Sequence, residues 1–408
     1  MVWAFVIAIV SIALAWFSKG QPVDQRRVAT PKPDSPKSPE VKTFAILDDG
    51  SAWTRFGGDA GQTRVARTTL SDSLDMMWSF TAGAQVKSTA AIVDDRVFAA
   101  STEGKVFALD LETGGVMWKT QLSDGIEAPC SVVQGSLYVG VLDGDLVALD
   151  AASGQPQWIY KTDAQISGGV NWVRGPNDPD PRGLRLLVGS YDGFVHCIDA
   201  REGHKIWAYE TGNYVNGSPA VAQGVCAFGG CDALIHVVRL ADGSVMHTID
   251  TESYIAASSA IRQGCVYAGN YSGLLIKADL ATGRVLWRYE DPDGAAFFSS
   301  PAVTERFVVF GTRARTVVSL ETQTGRVVWT YTTLDDVDSS PVVCDDKVMV
   351  AGNDGRLVLL RLCDGKRLWS YDLGRPIVSS PAVARGVVVV GCDDGVVYAF
   401  GTKKVPSD

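Results

Sequence analysis

Signatures of several common catalytic and metal sites are missing from this sequence of 408 residues. No two of its eight cysteines are adjacent or in Cys-x-x-Cys spacing, and its four histidines lack the spacing of zinc ligands. It contains no Walker-type phosphate loop, no Gly-x-Ser-x-Gly elbow and no His-Glu-x-x-His motif. These absences argue against a zinc centre, a P-loop nucleotidase and a serine hydrolase.

Basic residues are in the minority. Lys and Arg total 37 against 46 Asp and Glu, which gives a net charge of -9. Residues 1–50 hold six basic and five acidic residues, so the negative charge belongs to the remainder of the chain. A surface of that sign repels the phosphate backbone, and we therefore expect no nucleic-acid partner.

A long apolar run without charge is found at the N-terminus. Residues 1–17 would form a helix of roughly 25 Å, which predicts a signal peptide or a signal anchor over residues 1–19. Residues 20–45 are rich in proline and predict a disordered linker. We therefore expect an exported or membrane-anchored protein. Lys19, Arg26 and Arg27 follow the run and favour the cytoplasmic side by the positive-inside rule.

A repeat of about forty residues organises the rest of the chain. Its marker is a tryptophan, with successive gaps of 40, 40, 49, 80, 42 and 40 residues. The gap of 80 spans two repeats, and His247 stands where the missing tryptophan would be. Periods of this length are typical of propellers and solenoids. The eight marker positions, which we predict to dock neighbouring units together, are Trp78, Trp118, Trp158, Trp207, His247, Trp287, Trp329 and Trp369.

Each repeat reads as four short strands joined by tight turns. A small-residue segment, such as Ser299–Val303, precedes a β-branched strand, an Asp-Gly turn, an alternating strand, a Thr-Gly turn and the tryptophan strand. The chain opens on a tryptophan strand and ends without one, so Met77–Thr81 is predicted to complete the last unit. We predict an all-β fold over residues 46–408: an eight-bladed β-propeller of four-stranded antiparallel blades, closed by this N-terminal strand.

The recurring phrases xxxLDxxTGxxxW and SSPAV resemble the repeat of the pyrroloquinoline quinone (PQQ)-type propellers. This family includes the quinoprotein dehydrogenases and the BamB-type outer-membrane-protein assembly factor. The segment from Trp53 to Asp59 also resembles a lead-in found before the first blade of many non-enzymatic members. The resemblance covers residues 75–400 and implies the fold far more strongly than an activity. It favours the periplasmic side of a membrane, whereas the charges after residue 17 leave the cytoplasmic side open.

The resemblance to dehydrogenases implies one enzymatic alternative, a PQQ- and calcium-dependent oxidoreductase. Its site would combine adjacent cysteines, an aromatic floor, calcium ligands and a catalytic Asp, and adjacent cysteines are absent here. Asp178 and Asp180 lie in a long loop, where alternation with proline favours a solvated segment over a calcium site. His196 and His236 occupy equivalent repeat positions, as a ligand pair or as two satisfied half-buried side chains. We expect no catalytic, cofactor-binding or metal-binding residue and no bound cofactor.

The remaining function is binding. We predict a non-catalytic scaffold that acts as a monomer and recognises a protein partner; a carbohydrate or small-ligand receptor is a further alternative. The candidate residues lie on loops that lead from a tryptophan strand into the next repeat, where aromatic and arginine side chains can anchor an interface. For the two phenylalanines, packing beneath the loop is the equal alternative. The candidates are Tyr214, Tyr254, Phe297, Phe298 and Arg375.

Overall fold

The computed structural model describes residues 51–175 and 183–402, in which every regular element is a β-strand. The predicted N-terminal segments, residues 1–19 and 20–45, lie outside the described residues, as do Asp178 and Asp180. The described part of the chain contains no helix with the length and apolarity needed to cross a membrane. The strands are, in chain order, β1 (Val65–Ala66), β2 (Asp75–Thr81), β3 (Ala91–Val93), β4 (Arg96–Ala100), β5 (Lys105–Asp110), β6 (Val116–Gln121), β7 (Ser131–Val133), β8 (Ser136–Gly140), β9 (Asp145–Asp150), β10 (Pro156–Lys161), β11 (Asn171–Arg174), β12 (Leu184–Gly189), β13 (Phe194–Asp199), β14 (Lys205–Glu210), β15 (Ala220–Ala222), β16 (Val225–Gly229), β17 (Leu234–Arg239), β18 (Val245–Asp250), β19 (Ala260–Arg262), β20 (Cys265–Gly269), β21 (Leu274–Asp279), β22 (Val285–Glu290), β23 (Ala302–Val303), β24 (Phe307–Thr312), β25 (Thr316–Glu321), β26 (Val327–Thr332), β27 (Val342–Cys344), β28 (Lys347–Ala351), β29 (Arg356–Arg361), β30 (Arg367–Asp372), β31 (Ala382–Ala384), β32 (Val387–Gly391) and β33 (Val396–Gly401).

The strands form eight blades around a central axis, which confirms the predicted propeller. Blades 1 to 7 are consecutive antiparallel meanders that begin at β3, β7, β11, β15, β19, β23 and β27. Blade 8 combines β31, β32 and β33 with β2 from the N-terminus. Asp75 pairs with Gly401 and Thr81 with Val396, so the ring is closed by its own termini, as the repeat count predicts.

Tryptophans on the outermost strands join adjacent blades. The Trp78 indole N–H donates to the carbonyl of Leu111, 2.8 Å away on the next blade. Its ring lies over Gly114, where φ is +71° and an added Cβ would come within 2.6 Å of the indole. The same hydrogen bond joins five further pairs: Trp118 to Ala151, Trp158 to Ala200, Trp207 to Leu240, Trp287 to Thr322, and Trp329 to Leu362.

The two other marker positions differ from this pattern. The His247 ring lies over Gly283 in the same manner, but its Nε2 atom is buried and has no hydrogen-bond partner. Trp369 packs edge-to-face on Phe400, at a centroid distance of 5.6 Å, in the blade that closes the ring. The seam between blades 4 and 5 is therefore the one at which a histidine replaces the indole.

One end of the central channel is closed by a lead-in segment, residues 53–68. This segment contacts the blades in order, beginning with mutual main-chain hydrogen bonds between Trp53 and Ile92 of blade 1. Because its partners are mainly backbone groups of the innermost strands, the segment lies across the channel rather than on the surface. Its further contacts on blades 2 to 8 are Thr54 with Val132, Arg55 with Trp172, Ala60 with Val221, Gly61 with Ile261, Thr63 with Val303, Arg64 with Val343, and Thr68 with Gly386.

The meander places two kinds of connection at the opposite end. Successive strands alternate in direction, so the loops that lead into each blade and the turns between its second and third strands leave on the same side. Main-chain hydrogen bonds link the two, for example Cys231 N to Tyr214 O at 2.8 Å and Tyr271 N to Tyr254 O at 3.0 Å. We call this end the open mouth and the lead-in end the plugged mouth.

Candidate functional site

A ring of eight side chains, one from each blade, surrounds the channel at the open mouth. It encloses a cavity of about 170 Å³. Phe56 of the lead-in segment also lines this cavity, and the buried Arg64 guanidinium lies 4.6 Å from the centre of the Phe56 ring. Burial lowers the pKa of Arg64 to about 9, an effect that Asp59 partly opposes. The ring residues are Lys87, Glu127, Ser167, Asn216, Ala256, Phe298, Asp338 and Val378.

Serine hydroxyls join the blades at positions two residues after the ring residues in the sequence. Each hydroxyl accepts a hydrogen bond from the main-chain N–H at the equivalent position of the preceding blade, as from Ser258 to Ser300 at 2.9 Å. Pro129 occupies this position in blade 2, and it has neither a hydroxyl to accept a hydrogen bond from blade 1 nor an N–H to donate to blade 3. Between blades 1 and 2, an ion pair of 2.9 Å from Lys87 to Glu127 joins the rim instead. The other serine bonds are Gly169 to Ser218, Ser218 to Ser258, Ser300 to Ser340 and Ser340 to Ser380.

An aromatic row crosses the open mouth from blade 3 to blade 6. We define it as Tyr191, Tyr214, Tyr254, Tyr271 and Phe298. Tyr191 stacks on Tyr214 at a centroid distance of 5.1 Å, and Tyr254 stacks on Tyr271 at 4.5 Å. Tyr271 meets Phe298 edge-to-face at 5.6 Å. The stacked pairs hold large side chains in place on a rigid rim.

At the blade 6 end of the aromatic row, the side chain of Arg313 packs on Phe298. The Arg313 guanidinium carbon lies 3.7 Å from the centre of the Phe298 ring. Asp338 accepts two hydrogen bonds from the same guanidinium, at 2.9 and 3.0 Å. This pairing raises the pKa of Arg313, so the side chain stays charged. An aromatic face and a carboxylate thus hold a guanidinium at this mouth.

The five candidate residues differ in their exposure to solvent. Tyr214 and Tyr254 are 51% and 40% exposed, Phe298 is half-buried on the channel rim, and Arg375 is exposed on the loop before blade 8. Phe297 is fully buried and packs on Phe310 at a centroid distance of 4.9 Å, which agrees with the alternative of packing beneath the loop. It fills the core beneath the loop and offers no surface to a partner.

Three residues of the site are missing from the sequence-based prediction. Tyr191, Tyr271 and Arg313 lie in the turns between second and third strands, directly above the loops that carry the candidates. The signal is present in the repeat, since these three occupy the same position ahead of, or within, the Asp-Gly-like turn. A comparison of that turn position across all blades would have found them.

Acidic residues dominate the connections at the open mouth. There they number sixteen against four basic residues, whereas the described connections at the plugged mouth, apart from the lead-in segment, carry nine acidic and six basic residues. The sixteen are Glu103, Asp124, Glu127, Asp143, Asp163, Asp192, Asp232, Glu252, Asp291, Asp293, Asp335, Asp336, Asp338, Asp354, Asp393 and Asp394. The four are Lys87, Arg313, Arg315 and Arg375. At the plugged mouth the acids are Asp94, Asp95, Glu112, Glu202, Asp242, Glu305, Asp345, Asp346 and Asp364, and the bases are Arg201, Arg284, Arg306, Arg326, Lys366 and Arg385.

The paired histidines are satisfied between blades. His196 contacts the Tyr160 hydroxyl through Nδ1 and Asp192 through Nε2, each at 3.0 Å. Both ring nitrogens are engaged, which favours a structural role over metal ligation. The equivalent trio in the next blade is His236, Tyr209 and Asp232, with distances of 3.0 and 2.8 Å. Within residues 51–175 and 183–402, no group of His, Cys, Asp and Glu is arranged to hold a metal ion.

A larger cavity of about 1250 Å³ lies at the plugged mouth, between blades 1 and 2. The arginines on its wall are engaged by the protein. Arg385 donates to the carbonyl of Asp94 and to the carboxylate of Asp95, and Arg96 donates to the carbonyl of Ala151 at 3.0 Å. The open mouth, where exposed aromatic rings meet unpaired negative charge, is the stronger candidate for recognition.

Comparison with solved structures gives several matches, which cover 80–88% of this chain. BamB from Moraxella catarrhalis is 21% identical, with a TM-score of 0.69 over 82% of this chain and 99% of that one. The quinohemoprotein alcohol dehydrogenase from Comamonas testosteroni is 14% identical, with a TM-score of 0.70 over 88% and 82%. The computationally designed Ika8 protein is 16% identical, with a TM-score of 0.70 over 80% and 99%. At these identities the likeness shows the fold alone.

Sequence comparison identifies the family. No curated protein matches the chain. A family profile described as outer membrane protein assembly factor BamB matches three consecutive stretches, residues 62–179, 175–295 and 294–404. These stretches cover the whole ring of blades. The chain belongs to the BamB-like family of PQQ-type propellers.

Proposed function

We propose that the protein is a non-catalytic scaffold, membrane-tethered or exported, whose open mouth binds a protein partner. The observation that carries this proposal is the aromatic row, which exposes Tyr214, Tyr254 and Tyr271 side by side on a rigid rim. Exposed tyrosines bury a large area at a small cost in conformational entropy, and they are frequent anchors of protein interfaces. Membership of the BamB-like family supports a partner-binding role.

The charge of the channel rim supports a scaffold over a quinoprotein. PQQ is a tricarboxylate, and a site for it must supply cations. The cation that lines the open-mouth cavity is Lys87, and its ammonium is paired with Glu127. Asp338, on the same rim, is engaged with Arg313. The residues present therefore do not fit an anionic quinone, and we derive no oxidation step for this chain.

The location of the protein is part of the proposal. The apolar run over residues 1–17 supports attachment to a membrane or export through one. Family membership favours the periplasmic face, since the family is described as an outer membrane protein assembly factor. Protease accessibility of the full chain in intact and permeabilised cells tests which side of the membrane the propeller occupies.

Site-specific crosslinking of the full-length chain in its own cells tests the scaffold function. A photoreactive phenylalanine analogue replaces Tyr214 or Tyr254 in turn. Val116 and Val327, each 50% exposed on outermost strands, are controls matched for exposure. We expect protein adducts from the mouth positions and few from the controls. Equal yields at all four positions would contradict binding at the mouth.

A triple variant provides a second measurement. Tyr214→Ala, Tyr254→Ala and Arg375→Ala remove three exposed side chains without opening the core, so the fold should be unchanged by circular dichroism. We expect recovery of the crosslinked partner to fall at least about tenfold, which corresponds to roughly 1.4 kcal/mol. Calorimetric titration with PQQ, with and without calcium, tests the enzymatic alternative, and one-to-one binding there would overturn the scaffold proposal. Binding on a glycan array would favour the carbohydrate receptor.

A further inference from the structure

We infer that the open mouth recognises a cationic partner: an extended peptide segment that places Arg or Lys side chains against the aromatic row. This inference rests on the proposed function and specifies the chemistry of the partner. It is drawn from three independent features of the mouth, namely its charge, its own bound guanidinium and its unpaired hydrogen-bond acceptors.

Charge is the first feature. The mouth connections carry sixteen acidic and four basic residues. Some carboxylates are paired within the chain, as Asp338 is with Arg313, but Asp293 and Asp335 are exposed on the loops beside the aromatic row. The described connections at the other end are close to balanced. A basic segment is therefore attracted to one end of the propeller and oriented by it.

The bound guanidinium is the second feature. Arg313 lies on the Phe298 ring and against Asp338, which shows how this mouth holds a cation. Blades 4 and 5 present exposed rings at the corresponding rim, Tyr214 and Tyr254. Since a tyrosine face attracts a cation in the same way as a phenylalanine face, these rings can take guanidinium or ammonium groups from a partner.

Unpaired acceptors are the third feature. Three amide or carboxylate oxygens at the mouth are buried and have no hydrogen-bond partner: Oδ1 of Asn216, Oδ1 of Asn353 and Oδ1 of Asp393. Asn216 lines the channel, and Asn353 and Asp393 lie in the turns of blades 7 and 8. Buried acceptors are costly unless a donor reaches them, and Arg and Lys side chains supply several donors and no acceptors. The mouth thus lacks hydrogen-bond donors for these acceptors, and a cationic segment carries such donors.

The probe for this inference is a fluorescein-labelled peptide of repeated Gly-Ser-Arg, titrated with the full-length protein in detergent and followed by anisotropy. A second peptide has citrulline in place of each arginine, which retains the shape and removes the charge. We expect the arginine peptide to bind at least about tenfold more tightly, with affinity falling as salt increases. Equal affinity of the two peptides would overturn the inference.

Matched charge variants distinguish an effect of the mouth carboxylates on peptide binding from an effect of the protein's net charge. Asp293→Asn with Asp335→Asn neutralises two exposed carboxylates at the mouth, and Asp94→Asn with Asp346→Asn makes the same change at the other end. Tyr254→Leu with Tyr271→Leu removes two ring faces but keeps apolar area. We expect the mouth variants to weaken arginine-peptide binding at least fivefold and the opposite-end variant to leave it within twofold. Equal losses from both charge variants would refute recognition at the mouth.

The crosslinking experiment distinguishes failure of this inference from failure of the proposed function. The crosslinked material is digested with a glutamate-specific protease. An adduct at Tyr214 whose linked peptide contains no Arg or Lys would support the scaffold and overturn the cationic segment. A lack of adducts at the mouth would refute the proposed scaffold function itself. A linked peptide with internal basic residues would support both.

Discussion

Replacement of His247 by tryptophan should strengthen the seam between blades 4 and 5. At six other seams, an indole N–H donates to a main-chain carbonyl of the next blade, in four cases 33 residues further along the chain. The corresponding residue for position 247 is Leu280. His247 already lies over Gly283, as Trp207 lies over Gly243, so the receiving surface is present.

The size of the effect follows from two contributions. A new indole hydrogen bond adds about 1 kcal/mol to the free energy of unfolding. The larger ring buries additional apolar surface, which at about 25 cal/mol per Å² adds a similar amount. Imperfect fit reduces the sum, and we expect His247→Trp to raise the free energy of unfolding by about 1–2 kcal/mol. The reverse change at the neighbouring seam, Trp207→His, should lower it by about 2–3 kcal/mol.

Guanidinium denaturation followed by far-ultraviolet circular dichroism measures both variants. Hydrogen exchange of β18 and β21 reports the seam directly, since stronger docking should slow local opening there. A His247→Trp variant with an unchanged or lower midpoint, beside the expected loss in Trp207→His, would refute the idea that the histidine weakens this seam. A null result in both variants would refute a docking role for the repeated ring.

The His247→Trp variant should also change how the stability of the protein depends on pH. Burial lowers the pKa of His247 below its usual 6.5, an effect that Asp279 partly opposes. The unfolded chain therefore binds a proton more readily than the folded chain. This contribution to stability is complete above pH 6.5 and is lost as the pH falls through and below that value. We expect the wild type to lose more stability than His247→Trp between neutral and mildly acidic pH.

Two further predictions concern the structural repeat. Gly114→Ala should lower the free energy of unfolding by about 2 kcal/mol or more, because φ is +71° there and the new Cβ would lie 2.6 Å from the Trp78 ring; Gly135→Ala, with similar φ and open space around it, is the control for backbone strain alone. Ser300→Ala should cost about 1–3 kcal/mol, since it leaves the buried Ser258 N–H without an acceptor. Thermal denaturation measures both, and a Ser300→Ala variant as stable as the wild type would contradict the role assigned to the serine bonds.

The repeat made the architecture predictable. Recurrence of one phrase eight times specifies the number of blades, and the missing final tryptophan strand specifies how the ring closes. The position of the lead-in segment was not predictable in the same way. Its contacts are largely with main-chain groups of Ile92, Val132, Ile261 and their equivalents, and such groups leave little trace in side-chain chemistry.

The recognition site was predicted only in part. Tyr214 and Tyr254 follow from their place in the loops, whereas Tyr191 and Tyr271 lie in turns that the prediction treated as structural. Phe297 and Phe298 could have been separated by aligning the repeats. Phe297 falls in the column that is apolar in every blade, while Phe298 falls in the next column, which holds charged, polar, aliphatic and aromatic residues. Adjacent residues of an extended segment point in opposite directions, so one is in the core and the other on the rim.

Closure of the ring by β2 makes completion of the fold depend on synthesis of β33. β2 is synthesised before any complete blade, whereas its partner β33 is the last strand of the described residues. In the same way, β1 can pair only after β27 has been synthesised. A nascent or truncated chain that ends before residue 396 leaves the outermost position of blade 8 without a partner strand. We therefore expect the folding rate to be low, because the contacts that close the ring join residues more than three hundred positions apart. The ring therefore closes only after both of the strands that pair to close it, β2 and β33, have been synthesised.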